Sequence, residues 1–165
     1  MATFLHFQKL FGAPEPTVAS KDDLIMSQPQ IDAKQEKGGD LVNTALQQLM
    51  ERNVLEVFGE RDSERRKSVI NELYTEDCNF SDFETDDRSV GREALNAKVE
   101  HLLEGNPGFV FRLAGPAQVI QDLGRVQWHY GPNGAAPVVI GTDVAVFKHG
   151  RICSLYAFID KAPGD

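Results

Sequence analysis

The segment 141–160 (GTDVAVFKHGRICSLYAFID) constrains the fold of this chain more than any other stretch. Two apolar arms, each long enough for a strand, flank the dipeptide His149–Gly150. Because glycine accepts the positive φ that a two-residue turn needs, this pattern is typical of a β-hairpin. The segment therefore predicts two antiparallel strands joined by a tight turn.

Asp143 stands within the first arm, and the residues around it are apolar: Val138, Val139, Ile140, Val144, Val146 and Phe147. A carboxylate in such a strand must find hydrogen-bond partners, stay protonated or take part in chemistry. The sequence therefore predicts a pocket at Asp143, although it does not identify a ligand.

Apolar residues at helical spacing predict a first helix over residues 41–58, which Gly59 ends. Asn53 falls on the apolar face of this helix. An amide among core residues must be hydrogen-bonded, so Asn53 is either a satisfied structural residue or a pocket residue.

Two further helices follow. Asp62 or Ser63 can cap the second, which Tyr74 closes, and the third is predicted over residues 91–104. His101 lies beside the apolar stripe of the third helix, as expected for a surface or boundary residue.

Between these helices, Glu76 and Asp77 predict a turn, and residues 78–83 predict a strand. Alternation along that strand puts Phe80 and Asp82 on one face. We expect this face to point inward; the alternative is an exposed aspartate at the end of the strand.

The rest of the chain predicts strands over residues 109–113, 117–121, 125–130, 138–148 and 151–160. Helices followed by a run of antiparallel strands favour the α+β class, with a curved sheet and helices packed on its concave side.

The strand predicted over residues 125–130 alternates polar and apolar residues. Gln127 and His129 share its polar face, and Trp128 belongs to the face expected in a core or an interface. If the next strand carries Asp143 beside His129, the two could share a proton near neutral pH. Otherwise His129 is a surface residue.

The composition excludes several classes of function. A net charge of −8 argues against a nucleic-acid-binding protein, which needs clustered cations. Cys78 and Cys153 lie in apolar runs, as expected for buried free thiols in a reducing compartment.

Because the sequence has no metal-ligand spacing, nucleophile elbow or glycine-rich phosphate loop, we expect neither a metal nor a cofactor. The absence of a membrane-spanning run or secretory signal predicts a cytoplasmic protein that does not bind membranes.

Residues 1–40 differ in composition from residues 41–165. Prolines, glutamines and serines precede a predicted break at residues 37–39, so this segment is expected to be a flexible or docking N-terminal extension. Residues 41–165 are expected to form the folded domain.

The segments LYTEDCNFSDF, VGREAL, RVQWHYGPNG and GTDVAVFKHGRI occur in the order found in the nuclear transport factor 2-like superfamily. From Leu41 onward the chain resembles the SnoaL-like branch of that superfamily. The resemblance implies a cone-shaped α+β domain, in which about three helices and a strongly curved antiparallel sheet enclose one apolar cavity. It also implies a homodimer that meets through the outer face of the sheet, with Trp128 or Tyr130 as contacts.

Two branches of the family imply roles for individual residues. LYTEDCNFSDF and TDVAVF are similar to the ketosteroid isomerase segments that hold a general base and a protonated oxyanion-hole aspartate, which implies those roles for Asp82 and Asp143. Asn53 stands where that enzyme has a tyrosine. SnoaL polyketide cyclases combine an acid–base aspartate with glutamine, histidine and asparagine, and Asp143, Gln127, His129 and Asn53 match these types. Only part of the Asp–Arg–Asp set of limonene epoxide hydrolase is matched, by Arg125 and Asp143.

Two functions remain open on this basis. The first is a small cofactor-independent acid–base enzyme of isomerase, cyclase or dehydratase type, acting on an apolar carbonyl or polyketide-like molecule. Its predicted catalytic residues are Asp143, His129 and Asp82, and its predicted substrate-binding residues are Asn53, Gln127, Tyr74, Phe80 and Trp128. The alternative is a non-catalytic ligand-binding or protein-interaction module, in which Asp143 is a buried structural acid. An open cavity at Asp143 would favour the enzyme, and a filled core would favour the module.

Overall fold

The computed structural model describes residues 33–82 and 88–162. Residues 1–32 of the predicted N-terminal extension and residues 83–87 lie outside this description. The first helix begins at Ala33 and passes through residues 37–39, so the predicted break at these positions is wrong.

Three helices precede most of the sheet, as the apolar spacing predicts. In chain order the elements are α1 (Ala33–Arg52), a π-helix (Asn53–Phe58), α2 (Ser63–Leu73), β1 (Tyr74–Asp82), β2 (Ser89–Val90), α3 (Arg92–Gly105), β3 (Phe109–Leu113), β4 (Gln118–Ile120), β5 (Leu123–Pro132), β6 (Val139–Lys148) and β7 (Arg151–Lys161). No helix in the described ranges is long and apolar enough to cross a membrane.

The seven strands form one strongly curved sheet in the order β2-β1-β7-β6-β5-β3, and β4 also pairs with β5. Neighbouring strands are antiparallel, except that β1 and β7 run parallel. The α+β class and the curved sheet are therefore confirmed.

The hairpin of β6 and β7 has the predicted turn. His149 and Gly150 both have positive φ, 52° and 72°, and Lys148 pairs with Arg151 on either side of them. Two consecutive residues with positive φ match the right-handed twist of the flanking strands, which is why such turns close tight hairpins.

The turn predicted at Glu76 and Asp77 is wrong, because β1 begins directly after α2, at Tyr74. Tyr74 has extended backbone angles and pairs with Ile152 on β7. The register then shifts before Asn79, and the two acidic residues are exposed in this irregular stretch. An irregularity within a strand exposes polar residues much as a turn does, so composition alone does not separate the two.

The π-helix that follows α1 keeps the same row of side chains directed at the core as far as Phe58. Met50, Val54 and Phe58 are all buried and are spaced by four residues. In a straight α-helix with 3.6 residues per turn, side chains spaced by four drift around the axis. One wider turn corrects that drift, and it keeps Asn53 on the buried face as well.

A buried arginine joins α2 to α3. Arg66 donates from Nε to Asn96 Oδ1 at 2.8 Å, from Nη2 to Glu100 Oε2 at 2.7 Å and from Nη1 to the Glu60 carbonyl oxygen at 2.7 Å. Its side chain is 1% exposed, so these partners are what make its burial possible. These hydrogen bonds therefore hold α2 and α3 together.

Candidate active site

A cavity of about 500 Å³ lies between the concave face of the sheet, the π-helix and α3. Most of its wall is apolar, and this part includes Val54, Phe58, Phe80, Phe111, Trp128 and Ile159. Among the described residues that line it, the ionisable ones are Asp82, Lys98, His101, Tyr130 and Asp143. This volume and composition are those of a small-molecule site.

Asp143 lies in the wall of this cavity and is only 3% exposed. Trp128 Nε1 donates a hydrogen bond to its Oδ1 at 2.8 Å, and Asn53 Nδ2 donates to its Oδ2 at 3.3 Å. Burial raises the pKa of Asp143 to about 7, although the Trp128 hydrogen bond acts in the opposite direction. Near neutral pH this carboxyl group can therefore either give or take a proton.

Asn53 is held in place by Tyr74 from behind the cavity wall. The Tyr74 hydroxyl donates to Asn53 Oδ1 at 2.5 Å, which leaves the amide NH₂ directed at Asp143. Burial, followed by the nearby charges of Asp143 and Cys78, raises the pKa of Tyr74 well above its usual value. Tyr74 therefore keeps its proton, and the chain of hydrogen bonds runs from Tyr74 through Asn53 to Asp143.

Gly141 makes room for the indole that contacts Asp143. It pairs with Trp128 across β5 and β6. A methyl group at Gly141 would collide with the ring carbons of Trp128 and would approach the Phe158 carbonyl oxygen to 2.7 Å. The indole can therefore occupy this position only because residue 141 has no side chain.

Asp82 and Asp143 lie in one row across three neighbouring strands. Ala157 on β7 pairs with Asp82 on one side and with Asp143 on the other. Two strand spacings separate the Cα atoms of the two acids by roughly 10 Å. All three residues line the cavity, and the small side chain of Ala157 leaves space between the carboxyl groups.

Asp82 is paired with a lysine that no sequence motif singles out. Lys98 Nζ lies 3.0 Å from Asp82 Oδ2, and Lys98 and His101 both line the cavity from α3. His101 is exposed, as predicted for a boundary residue, but it also borders the cavity. In the sequence, one signal could have indicated that this helix lines the cavity. It is the helical spacing that places four residues on one face: Lys98, His101, Leu102 and Gly105.

His129 and Gln127 are not beside Asp143, so the predicted proton-sharing pair is wrong. Val126 is the residue that pairs with Asp143, and His129 pairs with Ile140 instead. The side chains of Trp128 and Tyr130 face the cavity, and those of Gln127 and His129 point to the outer face of the sheet. Gln127 is exposed there and donates to Asp160 Oδ2 at 3.2 Å.

The other predicted site residues fall into two groups. Phe80, Asp82, Trp128 and Asp143 line the cavity directly. Asn53 and Tyr74 lie behind the wall, where they act on Asp143 rather than on the space itself. Throughout the described residues, no three His, Cys, Asp or Glu side chains are arranged to hold a metal ion.

Neither a protein-family model nor a curated protein sequence matches this chain. Solved structures do. A candidate isomerase of the SnoaL-like family from Agrobacterium tumefaciens has a TM-score of 0.63 and 24% identity over 73% of this chain and 99% of its own. A candidate SnoaL-like polyketide cyclase from Jannaschia has a TM-score of 0.60 and 18% identity, with 81% and 92% of the two chains covered. An NTF2-like protein of unknown function from Mesorhizobium loti has a TM-score of 0.55 and 19% identity, with 72% and 93% covered.

The fold is that of the SnoaL-like and nuclear transport factor 2-like proteins. The resemblance drawn from the sequence is thus confirmed for the fold. Identities this low say nothing of the reaction, because one fold supports many activities.

Proposed function

We propose that this protein is a small acid–base enzyme of isomerase, cyclase or dehydratase type, which acts without a cofactor on an apolar carbonyl or polyketide-like molecule. The observation that carries the proposal is Asp143, a buried carboxyl group in the wall of an apolar cavity with a pKa of about 7. A general acid or base works best when its pKa lies near the working pH.

Asp143 moves a proton between two positions of the bound molecule. In its ionised form it takes a proton from the carbon next to a carbonyl group, and the electron pair of that bond moves toward the carbonyl oxygen. The protonated acid then returns the proton to another carbon or to the oxygen. No electrons enter or leave, so the step balances without a further reactant.

Asn53 and Trp128 keep Asp143 at the cavity wall through both halves of this step. The hydrogen bond from Trp128 favours the ionised form, which opposes the effect of burial. Asp82 is the second acid–base candidate, because it lines the same cavity one strand beyond Ala157.

The solved structures of the same fold are in keeping with this class of chemistry, since they include a candidate isomerase and a candidate polyketide cyclase. Of the alternatives, a protein-interaction module would leave Asp143 in a filled core, and the cavity of about 500 Å³ beside it speaks against that. A non-catalytic ligand-binding module would have the same cavity, so the pKa of about 7 is what favours the enzyme over it.

Exchange of protons at carbon tests the proposal without knowledge of the natural substrate. In D₂O, we expect the protein to accelerate exchange at the acidic CH₂ groups of 2-tetralone, and NMR follows the loss of signal. The rate should rise with pH through about 7 and then level off, because the base is the ionised form of Asp143.

Asp143→Asn removes the base and keeps the size of the side chain, so it should lower the catalysed rate about a hundredfold. Asp122→Asn, which removes an exposed carboxylate, is the matched control and should leave the rate unchanged. A folded Asp143→Asn variant that exchanges as fast as the wild type would exclude Asp143 from the reaction. A wild-type protein without any acceleration would exclude this class of ketone chemistry.

A further inference from the structure

The cavity has a polar rim in addition to the buried carboxyl group of Asp143. The Asp82–Lys98 pair spans from β1 to α3, with its side chains 13% and 30% exposed. Asp143, in comparison, is 3% exposed. The cavity therefore has two polar places, a half-buried ion pair at its rim and one buried acid in its wall. The side chains between them are apolar.

The ion pair carries no net charge, but it offers both a donor and an acceptor. A lysine ammonium group has three N–H donors, and Asp82 Oδ2 accounts for one of them. His101 lies one helical turn from Lys98 on the same face of α3 and adds a further polar group to the rim. A group that itself both donates and accepts can bond to the lysine and the carboxylate together.

A ligand carboxylate meets a different environment at the same place. It can accept from Lys98, but it then lies next to the like charge of Asp82. Two carboxylates at one partly desolvated rim repel each other, and the lysine cannot neutralise both.

We propose that the Asp82–Lys98 pair selects ligands with an uncharged polar head group, such as a carboxamide or a hydroxyl, and rejects the corresponding carboxylates. The apolar body of such a ligand would fill the cavity between the rim and Asp143. This inference rests on the proposed function, because it names the kind of molecule that the acid–base site receives.

Charge variants of the rim test the inference with two probes that differ only in the head group, 2-naphthamide and 2-naphthoate. The measured quantity is the ratio of their dissociation constants at pH 8. We expect the wild type to bind 2-naphthamide more tightly. Asp82→Asn removes the carboxylate beside Lys98 and should shift the ratio about fivefold toward 2-naphthoate, whereas Lys98→Met removes the ammonium group and should shift it about fivefold the other way.

Asp122→Asn and Lys148→Met are the matched controls, since they remove the same charges from exposed positions and should leave the ratio unchanged. Thermal unfolding establishes which variants are folded. Because the two rim variants are expected to shift the ratio in opposite directions, either one alone supports or overturns the inference. A ratio that does not move, a wild type that prefers 2-naphthoate, or a wild type that binds neither probe would overturn it.

The tests of the two proposals are separable. A rim without charge selectivity, in a protein whose proton exchange still needs Asp143, would overturn this inference alone. Proton exchange that survives Asp143→Asn, together with a charge-selective rim, would overturn only the proposed function.

Discussion

The pKa of Asp143 is raised by the surroundings of the side chain rather than by its place in the sequence. Removal from water disfavours the ionised form, and the hydrogen bond from Trp128 recovers only part of that loss. Trp128 is the only tryptophan of the chain, so tryptophan fluorescence comes from this side chain alone. Its Nε1 bonds directly to Asp143 Oδ1.

The fluorescence of Trp128 should therefore follow the ionisation of Asp143. We expect a transition with a midpoint near pH 7 in the wild type and no such transition in Asp143→Asn. A wild-type transition near pH 4 would show that Asp143 ionises in the ordinary range of aspartate. An unchanged transition in the variant would show that a group other than Asp143 causes it.

The same pKa predicts how stability depends on pH. An unfolded aspartate ionises near its ordinary value of 3.8, whereas folded Asp143 holds its proton up to about pH 7. Between these values the folded state binds the additional proton, so this residue's contribution to the free energy of unfolding falls as pH rises, by about 4 kcal/mol in total. Above pH 7 it levels off.

Urea unfolding of wild type and Asp143→Asn across this pH range isolates the contribution, because other groups cancel in the difference. The variant should gain stability relative to the wild type from about pH 4 to pH 7. Parallel pH profiles for the two proteins would contradict the assignment.

Gly141 is the residue whose replacement should disturb this site without changing any of its hydrogen-bonding side chains. Gly141→Ala brings a methyl group against the indole of Trp128, so it should weaken the bond to Asp143 and cost about 1–3 kcal/mol of stability. Loss of that donor raises the pKa of Asp143, and the fluorescence midpoint should move above 7. Gly115→Ala is the control, since nothing lies within 4 Å of its added methyl group. An unchanged midpoint in folded Gly141→Ala would show that the indole adapts.

At the scale of elements, the π-helix links the fold to the site. It begins at Asn53, the residue that contacts Asp143, and it ends at Phe58, which lines the cavity. A helix of ordinary width would turn one of these two away from the interior. π-helical turns frequently occur at functional sites.

Gly59 is what allows the π-helix to end as it does. A methyl group there would collide with the Leu55 carbonyl oxygen, which is a backbone atom and cannot rotate aside. We expect Gly59→Ala to lower the free energy of unfolding by about 1–3 kcal/mol, as measured with urea. Gly105→Ala, also at a helix end but with nothing within 4 Å, should be close to neutral. Equal stabilities of the two variants would mean that the helix end relaxes at no cost.

At the scale of the whole molecule, the outer face of the sheet carries exposed aromatic side chains among the residues that the structure describes. Tyr156 and Phe158 on β7 are 38% and 56% exposed there. The predicted dimer contacts Trp128 and Tyr130 are wrong, because both side chains are buried and face the cavity. The homodimer itself stays a prediction, now with Tyr156 and Phe158 as its expected contacts.

Sedimentation tests this expectation directly. At micromolar concentration we expect a dimer, and Phe158→Lys should convert it to a monomer, since a buried charge without a partner is costly. His149→Lys adds the same charge at the hairpin turn and is the control. A wild-type protein that sediments only as a monomer would contradict the prediction.

Local pattern predicted a large part of this structure. The third helix, the hairpin turn and the strand over residues 109–113 agree with the elements found, because spacing of apolar residues and turn chemistry act within a few residues. Errors occurred where tertiary pairing overrides local preference. Glu76 and Asp77 are polar enough for a turn, but pairing of Tyr74 with β7 draws them into a strand.

The site divides in the same way. The sequence by itself identified Asp143 as an acid in an apolar strand, and it selected Asn53, Phe80, Asp82 and Trp128 as residues of suitable type. Only the tertiary structure decided which of them meet, since a one-residue difference in register moves a side chain to the opposite face of a sheet. Register separated His129 from Asp143, and it aligned Asp82 with Asp143 across Ala157. The pKa of about 7 was likewise beyond the sequence, because burial and hydrogen bonding arise only when distant segments close around the carboxyl group.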